Sequence, residues 1–175
     1  MKIPKRNYMD VGVIHFMSYP SVIKGTGPIE ETLKKILKDD YFNVVEVTWI
    51  KDKEVRKRAH SMIKISQIRV VYGSQPRMLT TGMNINDLNK TKRKEAVNSL
   101  KEGIDEACDL GAEGFAFLSG TYKEDTKNES YKALLDSTFE ICEYAKNKNN
   151  MPIVLEIFDY NIDKKSIIGP APYAA

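Results

Sequence analysis

Short runs of apolar residues alternate with longer amphipathic segments along this chain of 175 residues. The apolar runs are rich in Val, Ile or Phe, and most of them are bounded by Gly, Pro, Asn or Asp. They predict five β-strands, at residues 11–16, 42–49, 68–72, 114–118 and 153–158. Because apolar residues follow one another instead of alternating with polar ones, we expect both faces of each strand to be buried, as in a parallel sheet.

Four segments between these strands place apolar residues three and four apart, which is the spacing of an amphipathic helix. The first begins near Pro28, and the second follows Asp52, a residue type that caps helix N-termini. The third ends at Gly111, since glycine adopts the left-handed conformation that terminates helices, and the fourth begins near Asn128. The order β-α-β-α-β-α-β-α-β predicts a single α/β domain over residues 1–175 with parallel strands.

Two architectures fit this order of elements. One is a five-stranded doubly wound sheet, which the length of the chain favours. The other is a TIM-type (β/α)₈ barrel, which needs about 250 residues, so that the chain would supply its first five β/α units. After Phe158 the sequence continues as a long loop, with a helix expected to begin near its last residues. A complete doubly wound domain would instead end with a helix that covers the sheet, so the tail favours the partial barrel.

Composition excludes several classes of protein. Lys and Arg number 27 and Asp and Glu number 24, a net charge of +3 with no basic cluster, so we expect no nucleic-acid partner. Cys108 and Cys142 lie far apart without a CxxC partner, which argues against a disulfide scaffold and a cysteine zinc site and favours a reducing compartment. No segment approaches the roughly 20 apolar residues of a membrane span. We therefore expect a soluble, cytoplasmic protein without membrane contact.

The ligand site of a parallel α/β protein lies at the carboxyl ends of its strands. Glu156 ends the fifth predicted strand, where an unpaired carboxylate would be costly to bury. A metal ion, or a cationic or hydroxyl-bearing ligand, would remove that cost, as would an ion pair with a lysine at the rim of the sheet. His15, at the end of the first strand, is either a ligand-binding residue or a hydrogen-bonded packing residue.

A family resemblance rests on the residues around this glutamate. Residues 155–159, Leu-Glu-Ile-Phe-Asp, together with the strand order, resemble the xylose-isomerase-like TIM barrels of the sugar phosphate isomerase/epimerase group. The stretches 117–142 and 168–172 resemble the same group. The resemblance implies that Glu156 is a catalytic residue and a ligand of a divalent cation, and that the remaining ligands come from the sixth to eighth strands of the barrel.

The resemblance also implies a substrate site and a cofactor. The residues that end the first, third and fourth strands are expected to contact a sugar or sugar phosphate; they are His15, Ser74, Gln75 and Ser119. Oxygen-rich ligands favour Mn²⁺ or Mg²⁺, while Zn²⁺ and Co²⁺ are possible. Since Glu156 is the one member of the ligand set present, we expect this chain alone not to bind the cation tightly.

The chain departs from some members of the group. Ile162 stands six positions after Glu156, where the sugar 3-epimerases carry a second glutamate. The second and third strands end at Trp49 and Ser74, where the endonuclease-IV-like repair enzymes have zinc-binding histidines. These differences argue against a free-ketose 3-epimerase and a DNA repair enzyme.

The sequence thus predicts the N-terminal part of a metal-dependent isomerase or epimerase that moves a proton next to the carbonyl of a sugar or sugar phosphate. The alternative is a non-catalytic small α/β binding or regulatory module. A five-stranded part of a barrel exposes two unpaired parallel edges, which predicts a homo-oligomer or a domain-swapped dimer.

Overall fold

The computed structural model describes residues 9–169. Strands and helices alternate along the chain, with a short helix added after the first and after the third strand. The strands are β1 (Gly12–Ile14), β2 (Val44–Val47), β3 (Arg69–Gly73), β4 (Phe115–Leu118) and β5 (Ile153–Glu156). The helices are α1 (His15–Ser18), α2 (Ile29–Leu37), α3 (Lys53–Ser66), α4 (Gln75–Leu79), α5 (Lys90–Leu110) and α6 (Lys127–Lys146), with 3-10 turns at Pro20–Val22 and Glu124–Thr126.

The five strands form one parallel sheet in the order β1-β2-β3-β4-β5. This order confirms the partial barrel and shows that the doubly wound alternative was wrong. In a doubly wound sheet the order of strands reverses at a switch point, so that helices cover both faces. Here each crossover adds its strand to the same edge of the sheet. Because such crossovers share one hand in proteins, the helices lie on one face. The helix expected near the end of the sequence lies outside the described residues.

The two faces of the sheet differ in burial. The face that packs against the helices carries fully buried apolar side chains, namely Val45, Val47, Val70, Tyr72, Phe115 and Phe117. The opposite face, which would line the inside of a closed barrel, is more open: Ile14 is 39% exposed and Val154 52%. The expectation that both faces are buried therefore holds for the outer face alone in this part of the barrel.

Local signals in the sequence account for several helix ends. The carboxylate of Asp52 accepts hydrogen bonds from the backbone N–H of Glu54 at 2.8 Å and of Val55 at 3.0 Å, which caps α3 as predicted. Gly111 ends α5 with a φ of 72°, a left-handed conformation suited to glycine. Between residues 9 and 169 no helix is both long and apolar enough to span a membrane.

A buried ionic cluster joins three helices and strand β3 on the outer face. The carboxylate of Glu106 on α5 accepts from Arg77 Nη2 of α4 at 2.7 Å and lies 2.9 Å from Arg56 Nη1 of α3. Tyr72 of β3 donates its hydroxyl to Glu106 Oε2 at 3.0 Å, and burial raises the pKa of this hydroxyl well above its usual value. One carboxylate therefore balances two buried guanidinium groups and fixes α3, α4 and α5 around β3.

We expect Glu106→Gln to lower the free energy of unfolding by about 3 kcal/mol or more, because it leaves two buried arginines without their shared counter-charge. The matched control is Glu102→Gln on the same helix, since Glu102 also pairs with Arg77 but its side chain is 73% exposed. That change should cost about 1 kcal/mol or less. Urea unfolding of both variants provides the comparison, and equal losses would contradict the role given to Glu106.

Candidate functional site

The site is built at the carboxyl ends of the strands, around Glu156. This residue ends β5 and pairs in register with Leu118 of β4. Its Oε2 accepts a hydrogen bond of 2.6 Å from Nε2 of Gln75, the first residue of α4, which follows β3 after the single residue Ser74. In the part of the chain that the structure describes, Glu156 forms no ion pair. Its partner is an amide instead of the lysine that the ion-pair interpretation required.

A second carboxyl group, Glu46, faces the same site from β2. Its register with Ile14 and Val71 places it on the inner face of the sheet. Burial, and then the charge of Glu156, raise the pKa of Glu46 to about 7. Glu46 was not among the site residues predicted from the sequence. The signal that could have found it is the one used for Glu156, a lone carboxylate in an otherwise apolar strand.

Gly73 makes room for these side chains. A Cβ at Gly73 would collide with Glu46 Oε1 and would lie 2.5 Å from Gln75 Oε1, so both oxygens lie against the bare backbone of β3 at the same point. Gln75 Oε1 is buried and has no hydrogen-bond partner among the described residues. Glu46, Gln75 and Glu156, which come from three different strand ends, thus form one polar cluster on the inner face.

His15 lies in another environment. It begins α1, is 3% exposed, and its Nε2 lies 2.8 Å from Oγ1 of Thr32 on α2. Since the Thr32 hydroxyl donates to the carbonyl of Pro28 at 2.8 Å, its oxygen is the acceptor and the proton of the imidazole lies on Nε2. Burial lowers the pKa of His15 to about 4. The ring joins α1 to α2 as a neutral hydrogen-bond donor, and its contact with a sugar stays a prediction.

The two serines proposed as sugar contacts are fully buried. Ser74 donates its hydroxyl to the carbonyl of Ala116 at 2.7 Å. The Ser119 hydroxyl accepts from the backbone N–H of Ile168 at 3.0 Å, and the Ser119 carbonyl accepts from the Ser166 hydroxyl at 3.0 Å. Both serines fasten backbone segments at the end of β4, and their contact with substrate stays a prediction.

The loop after β5 is folded back on the end of β4. The carboxylate of Asp159 accepts hydrogen bonds from the backbone N–H groups of residues 162–165, at 2.6–3.4 Å. These hydrogen bonds, that of Lys164 first, lower the pKa of Asp159 to about 2. Asp159 is therefore occupied as the centre of a turn, and Ile167 donates its N–H to the carbonyl of Gly120 at 3.1 Å to hold the turn in place.

The chain is similar to one protein family and to solved structures of the same fold. A family model described as "Xylose isomerase-like TIM barrel" matches residues 30–164. The chain belongs to this family. The resemblance noted in the sequence is thereby confirmed for the family and the fold. No curated protein matches the sequence.

Solved structures of this barrel type superpose on most of the chain. A D-tagatose 3-epimerase-like protein has a TM-score of 0.70 at 19% identity and covers 89% of this chain and 55% of its own. An L-ribulose 3-epimerase has a TM-score of 0.63 at 20% identity, with 86% and 50% covered. An AP endonuclease, family 2, from Brucella melitensis has a TM-score of 0.66 at 13% identity, with 91% and 60% covered. The chain thus spans about half the length of the solved structures that it matches, and the likeness is one of fold.

The barrel part described here does not assemble a complete metal centre. Within residues 9–169, no group of three or more His, Cys, Asp or Glu side chains is placed to hold a metal ion. Two carboxyl groups, of Glu46 and Glu156, face the inner side of the sheet, and burial, followed by the charge of Glu156, raises the pKa of Glu46. The carboxylate of Glu156 is a hard anionic oxygen donor and fits one ligand of a divalent-cation site.

The environment of His15 gives a pH dependence of stability. The unfolded chain binds a proton at this ring below pH about 6.5, whereas the folded chain does so only below about 4. Acid therefore favours the unfolded state between these values, and the contribution of His15 is fully present above pH 6.5 and lost as the pH falls toward 4.

We expect the free energy of unfolding of the natural chain to fall more steeply over this range than that of His15→Gln, by on the order of 1 kcal/mol per pH unit. The glutamine keeps a neutral N–H donor but does not titrate. Urea unfolding at pH 7.5, 6 and 5 measures the difference, and parallel profiles for the two proteins would show that His15 is not buried in its neutral form.

Proposed function

We propose that the chain supplies the first five β/α units of a metal-dependent isomerase or epimerase. Its substrate is a sugar or sugar phosphate, and its reaction moves a proton on the carbon next to a carbonyl. The observation that carries this proposal is Glu156, an inner-face carboxylate that ends a barrel strand and is held by the amide of Gln75. We also propose a cytoplasmic location, since Cys108 and Cys142 are both free thiols.

The position of the cluster supports an active site. TIM-barrel enzymes place their catalytic groups at the carboxyl ends of the strands, while residues at the other end serve stability. Glu46, Gln75 and Glu156 lie in or directly after β2, β3 and β5, and they meet on the inner face. Polar groups that converge on the inside of a barrel from separate strands are costly without a ligand, which favours a binding role.

Proton transfer next to a carbonyl needs both negative-charge stabilisation and a group that carries the proton. A divalent cation held by Glu156 and by ligands from the closing strands, Mn²⁺ or Mg²⁺ before Zn²⁺ or Co²⁺, would polarise the carbonyl oxygen. Glu156 would supply one anionic oxygen to that cation. Gln75 holds the carboxylate of Glu156 through Oε2, and Glu46, with its pKa near neutrality, can hold a proton at the edge of the site.

Glu156→Gln tests this assignment, because it keeps the length of the side chain and removes its charge. In the protein that contains the closing strands, we expect loss of turnover and at least tenfold weaker Mn²⁺ binding, about 1.4 kcal/mol. Turnover is measured as exchange of the C–H proton next to the carbonyl with solvent deuterium, in a panel of ketoses, aldoses and their phosphates. The 175-residue chain alone should bind Mn²⁺ weakly in a calorimetric titration.

The control is Glu143→Gln, an exposed glutamate on α6, which should leave exchange and metal binding unchanged. Thermal melting without metal adds a second comparison. Because Glu156→Gln removes one of two facing carboxyl groups, it should leave the metal-free melting temperature unchanged or raise it. Full turnover in Glu156→Gln would refute the assignment, and the absence of exchange with every sugar would favour the non-catalytic binding module.

A homo-oligomer is the assembly that we propose for the isolated chain. In the described sheet, β1 and β5 each pair on one side alone, and parallel edges of this kind invite pairing with another chain. We expect size-exclusion chromatography with light scattering to give a dimer or a larger assembly that dissociates on dilution. A compact monomer at all concentrations would contradict this expectation.

A further inference from the structure

The contacts of Gln75 raise a question of hydrogen-bond balance. Gln75 is 7% exposed, and its Nε2 donates to Glu156. Its Oε1 lies above Gly73, at the point that Glu46 Oε1 also approaches. A carboxylate is an acceptor, and so is the amide oxygen. If both carboxyl groups were ionised, Gln75 Oε1 would face a negative oxygen without any proton between them.

Rotating the amide does not remove the conflict. With Oε1 and Nε2 exchanged, the amine would satisfy Glu46 and the amide oxygen would face Glu156 Oε2. A primary amide carries its donors on one end and its acceptor on the other, so it can serve one carboxylate and one donor. The arrangement is balanced when one of the two carboxyl groups holds a proton.

We propose that Glu46 is a positioning residue for the site: its carboxyl group carries a proton, donates it to Gln75 Oε1, and so fixes the amide with Nε2 on Glu156. The raised pKa of Glu46 supports the choice of this residue as the proton carrier. The otherwise unpartnered Gln75 Oε1 then has a donor, as a buried amide oxygen requires. The proposal rests on the proposed function in one respect alone, namely that Glu156 is the group that needs to be aimed.

Gly73 is the structural condition for this chain of three side chains. Any larger residue would place its Cβ where Glu46 and Gln75 meet, with Gln75 Oε1 at 2.5 Å and Glu46 Cδ at 3.2 Å. Gly73 does not have a left-handed φ, so conformation does not explain the glycine. The side chains of Glu46 and Gln75, which fill the space above its backbone, explain why this residue is a glycine.

The experiment follows the side-chain amide protons of Gln75 by ¹H–¹⁵N NMR in the 175-residue chain, without metal or sugar. The signals are assigned by their disappearance in Gln75→Glu. Glu46→Gln retains a neutral N–H donor toward Gln75 Oε1, so the amide should keep its slow exchange with solvent. Glu46→Val removes the donor, and the exchange rate should rise at least tenfold.

Two glycine variants separate the proposed contact from general loosening of the fold. Gly73→Ala leaves Glu46 and Gln75 in the sequence but fills the space in which they meet, so it should raise the exchange rate as Glu46→Val does. Gly114→Ala is the control, because its nearest neighbour, the carbonyl oxygen of Pro152, lies 3.8 Å from the new Cβ. It should leave the Gln75 amide as it is in the natural chain.

Unchanged exchange in Glu46→Val would overturn the proposal, and so would equal loss of protection in Glu46→Gln and Glu46→Val. Because no substrate or cation enters these measurements, failure of the proposed sugar chemistry would leave their outcome unaffected. Conversely, the sugar and metal assays on Glu156→Gln keep their meaning if Glu46 proves not to position the amide.

Discussion

The hydrogen bond between Gln75 and Glu156 joins the ends of two strands that are not neighbours in the sheet. In a flat sheet, β3 and β5 would lie roughly 10 Å apart, twice the spacing between adjacent strands. A 2.6 Å contact above β4 therefore needs two long side chains that reach toward each other, one of them from a helix that begins directly after β3. Because the strands follow one another in chain order, β3 and β5 are separated by β4 alone, and strand order and site geometry form one constraint.

The outer face of the sheet contributes to the same contact. Arg77 lies two residues after Gln75 in the short helix α4, and its guanidinium is anchored by Glu106 of α5 at 2.7 Å. A five-residue helix has little stability of its own. The buried ion pair on the helix side thus fixes the start of α4, and with it the amide that reaches across the inner side. Gln75 belongs to the polar cluster and Arg77, two positions later, to the ionic cluster, so the short helix α4 links the two clusters.

The sequence predicts those parts of the fold that local pattern determines. Apolar runs locate all five strands, and residue types such as Asp52 and Gly111 locate helix ends, since these effects involve residues a few positions apart. Glu156 was found because a charged residue interrupts an apolar strand. The contact with Gln75, 81 positions away, could not be found in this way, because it depends on the order of the strands in the sheet.

The helix α4 and the role of Gly73 were missed for related reasons. Gly73 and Pro76 suggest a turn, whereas Gln75–Leu79 form a short helix whose Arg77 is buried against α5. Gly73 matters because it has no side chain at a point that the side chains of Glu46 and Gln75 occupy. Glu46 is a lone carboxylate in an apolar strand, as Glu156 is. Applying this criterion to both strands would have predicted the two residues together as site residues.

The loop after β5 bears on which ligand contacts this chain can make. Ile162 stands six positions after Glu156, where the resemblance to sugar 3-epimerases leads one to expect a second glutamate. Its side chain is 79% exposed in a turn that Asp159 organises. Since the carboxylate of Asp159 is saturated by backbone N–H groups, neither residue offers a free charge to the inner face. On the inner face of the described sheet the carboxyl groups are those of Glu46 and Glu156, and Gln75 holds the carboxylate of Glu156 in place. The amide of Gln75, which lies above Gly73 near Glu46 and holds Glu156, therefore belongs to the part of this chain that would bind a ligand.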